Sequence, residues 1–185
     1  MPVIRQPQIK RVIGDIMDGK ASVGIVPVPR SSDDTNWWIS LMEESAEIPK
    51  VFARIPFVNT DMPGKDAPSG LAIARVAPEP SGDDVSLWAL EADHNVSQHR
   101  LQTAFVAAKL EVQWINVAAL TQITRHHLIE IKGFIAPDND NMKSLLSSLG
   151  KAIVNVGFLG AYATPVMLKA SETKSAPHAA LASKT

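Results

Sequence analysis

The feature that most narrows the fold is the order of hydrophobic periods between residues 85 and 162. Residues 85–91 (VSLWALE) read as a strand. Ser97 stands where an N-cap belongs, ahead of a helix over 98–110 whose Leu101, Ala104, Phe105 and Ala108 share one face. Residues 112–123 alternate with β-branched side chains and predict a second strand, and 127–135 (HLIEIKGFI) predict a third. Pro137 and Asp138 open a second helix with Met142, Leu145, Leu146 and Leu149 at helical spacing, and Gly150 ends it. Residues 152–162 supply the last strand. This β-α-β-β-α-β order is the split-βαβ, ferredoxin-like pattern, in which four antiparallel strands bury one face under two helices.

The first half is less regular. Ile9, Val12, Ile13 and Ile16 predict a helix over 9–18, with Gly19 at its end. Residues 23–28 (VGIVPV) read as a buried strand. Trp38, Ile39, Leu41 and Met42 suggest a second helix over 35–44, broken by Pro49; of the adjacent pair Trp37 and Trp38, one is expected to face inward and the other partly outward. Residues 50–58 and 71–76 predict two more strands, separated by a Pro- and Gly-containing loop over 59–69. Pro78, Pro80, Ser81 and Gly82 mark a linker, which divides the chain into a unit over 1–80 and a second over 85–166. Residues 169–185 are Ala, Ser, Lys and Thr with almost no large apolar side chain, and are expected to form a disordered tail.

Composition removes several classes of function. Lys and Arg total 18 against 19 Asp and Glu, a net charge of -1, so no global basic field draws nucleic acid or an anionic membrane surface. Without cysteine there is no disulfide framework, no thiolate metal site and no thiol nucleophile. No apolar run approaches the roughly 20 residues of a membrane helix. Residues 1–10 contain no apolar leader segment, which makes a cytoplasmic protein the expectation. Asp138, Asn139, Asp140 and Asn141 resemble the start of a calcium loop, but Lys143 and Leu149 stand where glycine and glutamate are needed, so a helix cap is expected instead. His126 and His127 are expected at a hairpin turn rather than on a metal. No cofactor and no metal are expected.

The closing stretch Gly157-Phe158-Leu159-Gly160-Ala161-Tyr162, with Pro165 soon after, resembles the end of the ACT regulatory domain of prephenate dehydratases. The upstream text IKRVIGDIMDGKASVGIVPVPRSSDD, then NWWISLMEE, then PKVFARIPFV, is similar in order and spacing to the same family's helix, strand, helix and strand. The resemblance covers residues 9–57 and 85–165. It implies an α+β protein: an abbreviated α/β dehydratase-like unit followed by a ferredoxin-like ACT domain. It further implies an aromatic amino-acid ligand and a homodimer paired through the ACT sheets.

The chain also departs from the family. The family's opening strand and glycine-rich loop, and a long middle segment, have no counterpart. Ser69-Gly70-Leu71 stands where the family has a catalytic threonine-arginine-phenylalanine motif, and Pro29-Arg30-Ser31 replaces glutamate-asparagine-serine. Dehydrating prephenate needs an acid for the leaving hydroxyl and cations or amides for a dianionic substrate. The candidate acids are Ser31, Ser32 and Ser69, and the candidate anchors are Arg30, Arg54 and Arg75; as plain structure the serines cap a helix and the arginines lie on solvated faces. The family's effector loop falls on residues 93–100, which makes Asp93, Val96, Ser97, Gln98 and His99 the candidate effector-binding residues, with plain helix capping as their other role. Three readings follow: a non-catalytic protein that binds an aromatic amino acid in a regulatory role, a working prephenate dehydratase, and a structural dimerisation module.

Overall fold

The computed structural model describes residues 3–29, 36–43, 45–60, 69–118 and 122–168. Its centre is a mixed seven-stranded sheet in the order β1-β4-β2-β8-β5-β7-β6, with β1 at Gly24–Pro27, β2 at Lys50–Ile55, β4 at Gly70–Ala74, β5 at Asp84–Asp93, β6 at Val112–Ala118, β7 at Thr124–Lys132 and β8 at Ile153–Ala163. The four C-terminal strands follow the β-α-β-β-α-β reading, and their spatial order is fourth, first, third, second. Helices α2 (Gln98–Ala107) and α3 (Asp140–Leu149) connect them. α2 is capped as expected, the Ser97 hydroxyl accepting the Arg100 amide at 3.1 Å. In α3 the cap is Asn139, whose side chain accepts the amides of Asn141 and Met142, and Gly150 ends the helix at φ 53°.

β5 runs through the middle and is buried on both faces. Trp88, Leu90 and Ala92 meet Leu101, Phe105, Met142, Leu145 and Leu149 of the two helices. Val85, Leu87 and Ala89 face the other way, toward the N-terminal residues. On that side α1 (Ile9–Met17) covers β1 and β4 through Ile13 and Ile16, and a short 3-10 turn, Trp37–Leu41, covers β5 and β8. The N-terminal strands join the sheet by one parallel contact, Val51 of β2 with Gly160 of β8. A separate parallel pair, β3 (Val58–Thr60) with β9 (Val166–Leu168), lies outside the main sheet.

Several expectations are corrected. The helix read over 35–44 is a five-residue 3-10 turn, and its N-cap residue Asn36 makes no side-chain capping bond. Both Trp37 and Trp38 are buried, because the turn is sandwiched between α1 and the sheet. His126 and His127 do not form a hairpin turn; they sit inside β7, paired with Glu91 and Leu90 of β5. The strand read over 50–58 ends at Ile55, before Pro56, which has no amide to donate. Residues 169–185 lie outside the described residues. No described helix is long and apolar enough to cross a membrane.

Candidate functional site

Ser69 and Arg75 flank β4, a five-residue strand with every position buried. At about 3.3 Å per residue, the six steps from Ser69 to Arg75 span roughly 20 Å. They therefore stand at opposite ends of the sheet and cannot share one substrate. Arg75 is held by the Glu47 carboxylate. Arg30, Ser31 and Ser32 lie outside the described residues.

Arg54 behaves differently from Arg75. It stands near the Ser69 end, since Arg54 pairs with Leu71 and Ile55 with Gly70. Its Nη1 donates to the Tyr162 hydroxyl at 3.2 Å and lies 3.9 Å from Glu130 Oε1. Tyr162 in turn donates to Glu130 at 3.0 Å, and the guanidinium carbon lies 5.8 Å from the centre of its ring. The result is a chain of cation, phenol and carboxylate drawn from β2, β8 and β7. Burial, reinforced by the Glu130 charge, pushes the Tyr162 phenol well above its ordinary range. Tyr162 is thus a neutral hydroxyl that holds two opposite charges apart. The sequence carries a signal for it: a glutamate at a core-facing position of HLIEIKGFI needs a buried partner.

The five candidate effector residues are brought together in the β5–α2 turn. The Asp93 carboxylate accepts the main-chain and side-chain nitrogens of Asn95, each at 2.9 Å. Chiefly the Asn95 amide, and then the charge of His94, hold its carboxyl below the usual range. Val96 is buried, its amide donating to the Asp93 carbonyl at 2.9 Å, while Gln98 and His99 are exposed in the first turn of α2. This end of α2 presents amide donors and positive dipole charge beside a carboxylate, a pairing that suits a zwitterion.

The two histidines occupy opposite faces. His126 packs edge-on to Trp38, with ring centres 6.4 Å apart, and its Nε2 lies 3.8 Å from Glu91. His127 is buried on the helix side with neither ring nitrogen hydrogen-bonded. Burial first, and the charges of Arg125 and His126 after it, lower His127 to about 4, so the ring is neutral near pH 7. Among the described residues no three His, Asp or Glu side chains are grouped to hold a metal.

Solved structures share this architecture. The prephenate dehydratase of Arthrobacter aurescens in complex with L-Phe is 13% identical with a TM-score of 0.61, the match covering 88% of this chain and 81% of that one. The fold is prephenate-dehydratase-like. The enzyme from Streptococcus mutans is 15% identical at a TM-score of 0.58, over 90% of this chain and 86% of that one. GqqA, described as a novel type of quorum-quenching acylase, is 11% identical at a TM-score of 0.60, over 86% and 81%. No protein-family model and no curated protein matches the sequence. At such identities the likeness is one of fold, and activity must be argued from the residues.

Proposed function

We propose that this chain is a non-catalytic protein of prephenate-dehydratase-like fold whose C-terminal unit acts as an ACT domain, binding an aromatic amino acid in a regulatory role tied to phenylalanine synthesis. The observation that carries the non-catalytic part is the separation of Ser69 from Arg75 by the length of β4, with Arg75 engaged by Glu47. The β5–α2 turn supports the ligand. The amides of Gln98 and His99 would receive its carboxylate and Asp93 its ammonium. The apolar side chain would lie against a second subunit paired through the ACT sheets, in the cytoplasm. L-Phe is the molecule bound in the Arthrobacter aurescens neighbour.

A melting-temperature series with phenylalanine, tyrosine and tryptophan at millimolar concentration tests this reading. Each ligand that binds the folded chain should raise the midpoint. Gln98→Pro removes one amide donor at a helix position that accepts proline, so the fold should stand while the response of the turn weakens about tenfold. No shift with any of the three amino acids in the parent chain would sink the proposal.

A further inference from the structure

A cavity of about 460 Å³ lies where the N-terminal residues meet β8 and α3. That is within the roughly 300–1,000 Å³ of small-molecule sites. Its apolar lining includes Trp88, Phe158, Leu146, Val156 and Met42. The Trp88 and Phe158 rings stand 5.2 Å apart, and Trp88 is fixed by its indole N–H, which donates to the Ile135 carbonyl at 3.0 Å. Gly157 keeps the two sides close: a Cβ there would fall 2.8 Å from the Met42 Cα.

The charged lining is sparse and of both signs. Lys50 is positioned by donating from Nζ to the Phe158 carbonyl at 2.8 Å, which sets an ammonium against the aromatic wall. Glu43, exposed, is a further lining residue of the same cavity. Among the described residues, an aromatic surface lined by a lysine and a glutamate matches a zwitterion with a flat apolar side chain.

We infer that this cavity is a second amino-acid site, in which Lys50 receives the carboxylate of an aromatic α-amino acid, Glu43 its ammonium, and Trp88 with Phe158 its ring. It shares the ligand class of the proposed function but none of the residues of the β5–α2 turn. Because its walls come from both halves of the chain, an occupant stabilises their docked arrangement.

Isothermal titration of the full chain with L-phenylalanine tests the site. Ala46 lines the cavity and is exposed, so Ala46→Trp fills it without entering the core. The parent should bind two equivalents; Ala46→Trp should retain one, and Gln98→Pro should weaken one of the two about tenfold. Lys50→Met should weaken the cavity site at least tenfold. 3-Phenylpropionate, which lacks the ammonium, and phenethylamine, which lacks the carboxylate, should each bind it at least tenfold more weakly than phenylalanine. Ala46→Trp with unchanged stoichiometry and affinity overturns the cavity site and leaves the turn standing. Gln98→Pro with unchanged binding overturns the turn and leaves the cavity standing, whereas a parent chain that binds no phenylalanine overturns both.

Discussion

Gly160 of β8 lies against the main chain of Val51 of β2. A Cβ built on Gly160 would stand 2.6 Å from the Val51 nitrogen and closer still to its carbonyl oxygen, and Gly160 holds φ at 136°, where side chains are strained. This is the residue pair through which the N-terminal strands enter the sheet. The two glycines of the Gly157-Phe158-Leu159-Gly160 stretch therefore have one physical reason: each lets N-terminal backbone approach β8, Gly157 at Met42 and Gly160 at Val51.

Gly160→Ala should accordingly be severe, costing on the order of 3 kcal/mol or more, since neither backbone can yield without breaking the strand contact. Gly82 is the control. It also has a positive φ, 104°, but open space around it, so Gly82→Ala should cost only about 1 kcal/mol. Urea denaturation of the two variants checks the difference. Equal midpoints would mean that the Gly160–Val51 approach is not tight in solution.

His127 makes stability depend on pH. Folded, its pKa is lowered from 6.5 to about 4; unfolded, it returns to the ordinary value. The unfolded chain therefore binds the extra proton. The stability of the neutral buried ring is fully present above about pH 6.5 and is lost as pH falls toward about 4. The loss should be on the order of 1–3 kcal/mol. His127→Leu removes both unpartnered nitrogens, so it should be neutral or stabilising at pH 7 and should flatten the acid limb. Denaturation midpoints at several pH values compare the two chains. An acid limb equally steep in the variant assigns the effect elsewhere.

How much of this was legible depended on whether the determinants were local. The split-βαβ half could be read because its strands alternate, its helices repeat, and Ser97 and Gly150 punctuate them. The cap of α3 is Asn139, within the Asp138–Asn141 group where a helix cap is expected. His126 and His127 misled because two polar letters resemble a turn; what keeps them in β7 is pairing with Glu91 and Leu90, together with the Trp38 ring, none of which is near in sequence. The Trp37–Leu41 turn reads as a helix in the sequence because its apolar spacing arises from being sandwiched between layers. Of the candidate site residues, the β5–α2 group is contiguous and so came together. Ser69 and Arg75 look close in the sequence, but an extended strand carries them apart.

Tyr162 is the single tyrosine of the chain, which makes its ionisation directly visible. Buried beside the Glu130 carboxylate, its phenol stays protonated above the ordinary tyrosine range. Because this acid is raised in the fold, its contribution is present below about pH 10 and is lost as pH climbs beyond the unfolded value. An ultraviolet titration should show no phenolate absorbance until the chain unfolds. Tyr162→Phe removes the hydroxyl that both Arg54 and Glu130 touch, and should cost about 1–3 kcal/mol at pH 7. Reversible phenolate formation near pH 10 in the folded protein would show that the hydroxyl is not enclosed.

The last prediction concerns chemistry. A dehydration in which the ring carboxylate leaves as carbon dioxide while the hydroxyl is protonated and leaves as water needs a proton donor and an anion anchor on one substrate, within hydrogen-bond reach of it. Ser69 is about 20 Å from Arg75 along β4. Among the described residues, the cation that stands near the Ser69 end, Arg54, is bound to Tyr162 and faces Glu130, a carboxylate that repels a dianion. Purified chain incubated with prephenate at pH 7 should thus form phenylpyruvate no faster than the uncatalysed reaction, with or without phenylalanine. Ser69→Ala and Arg75→Ala should leave that baseline unchanged, and Arg75→Ala should cost no more than about 1 kcal/mol of stability, since its bond to Glu47 is an exposed ion pair. Turnover well above background that disappears in either variant would restore the dehydratase reading and would require Ser69 and Arg75 to act in a different arrangement of the chain.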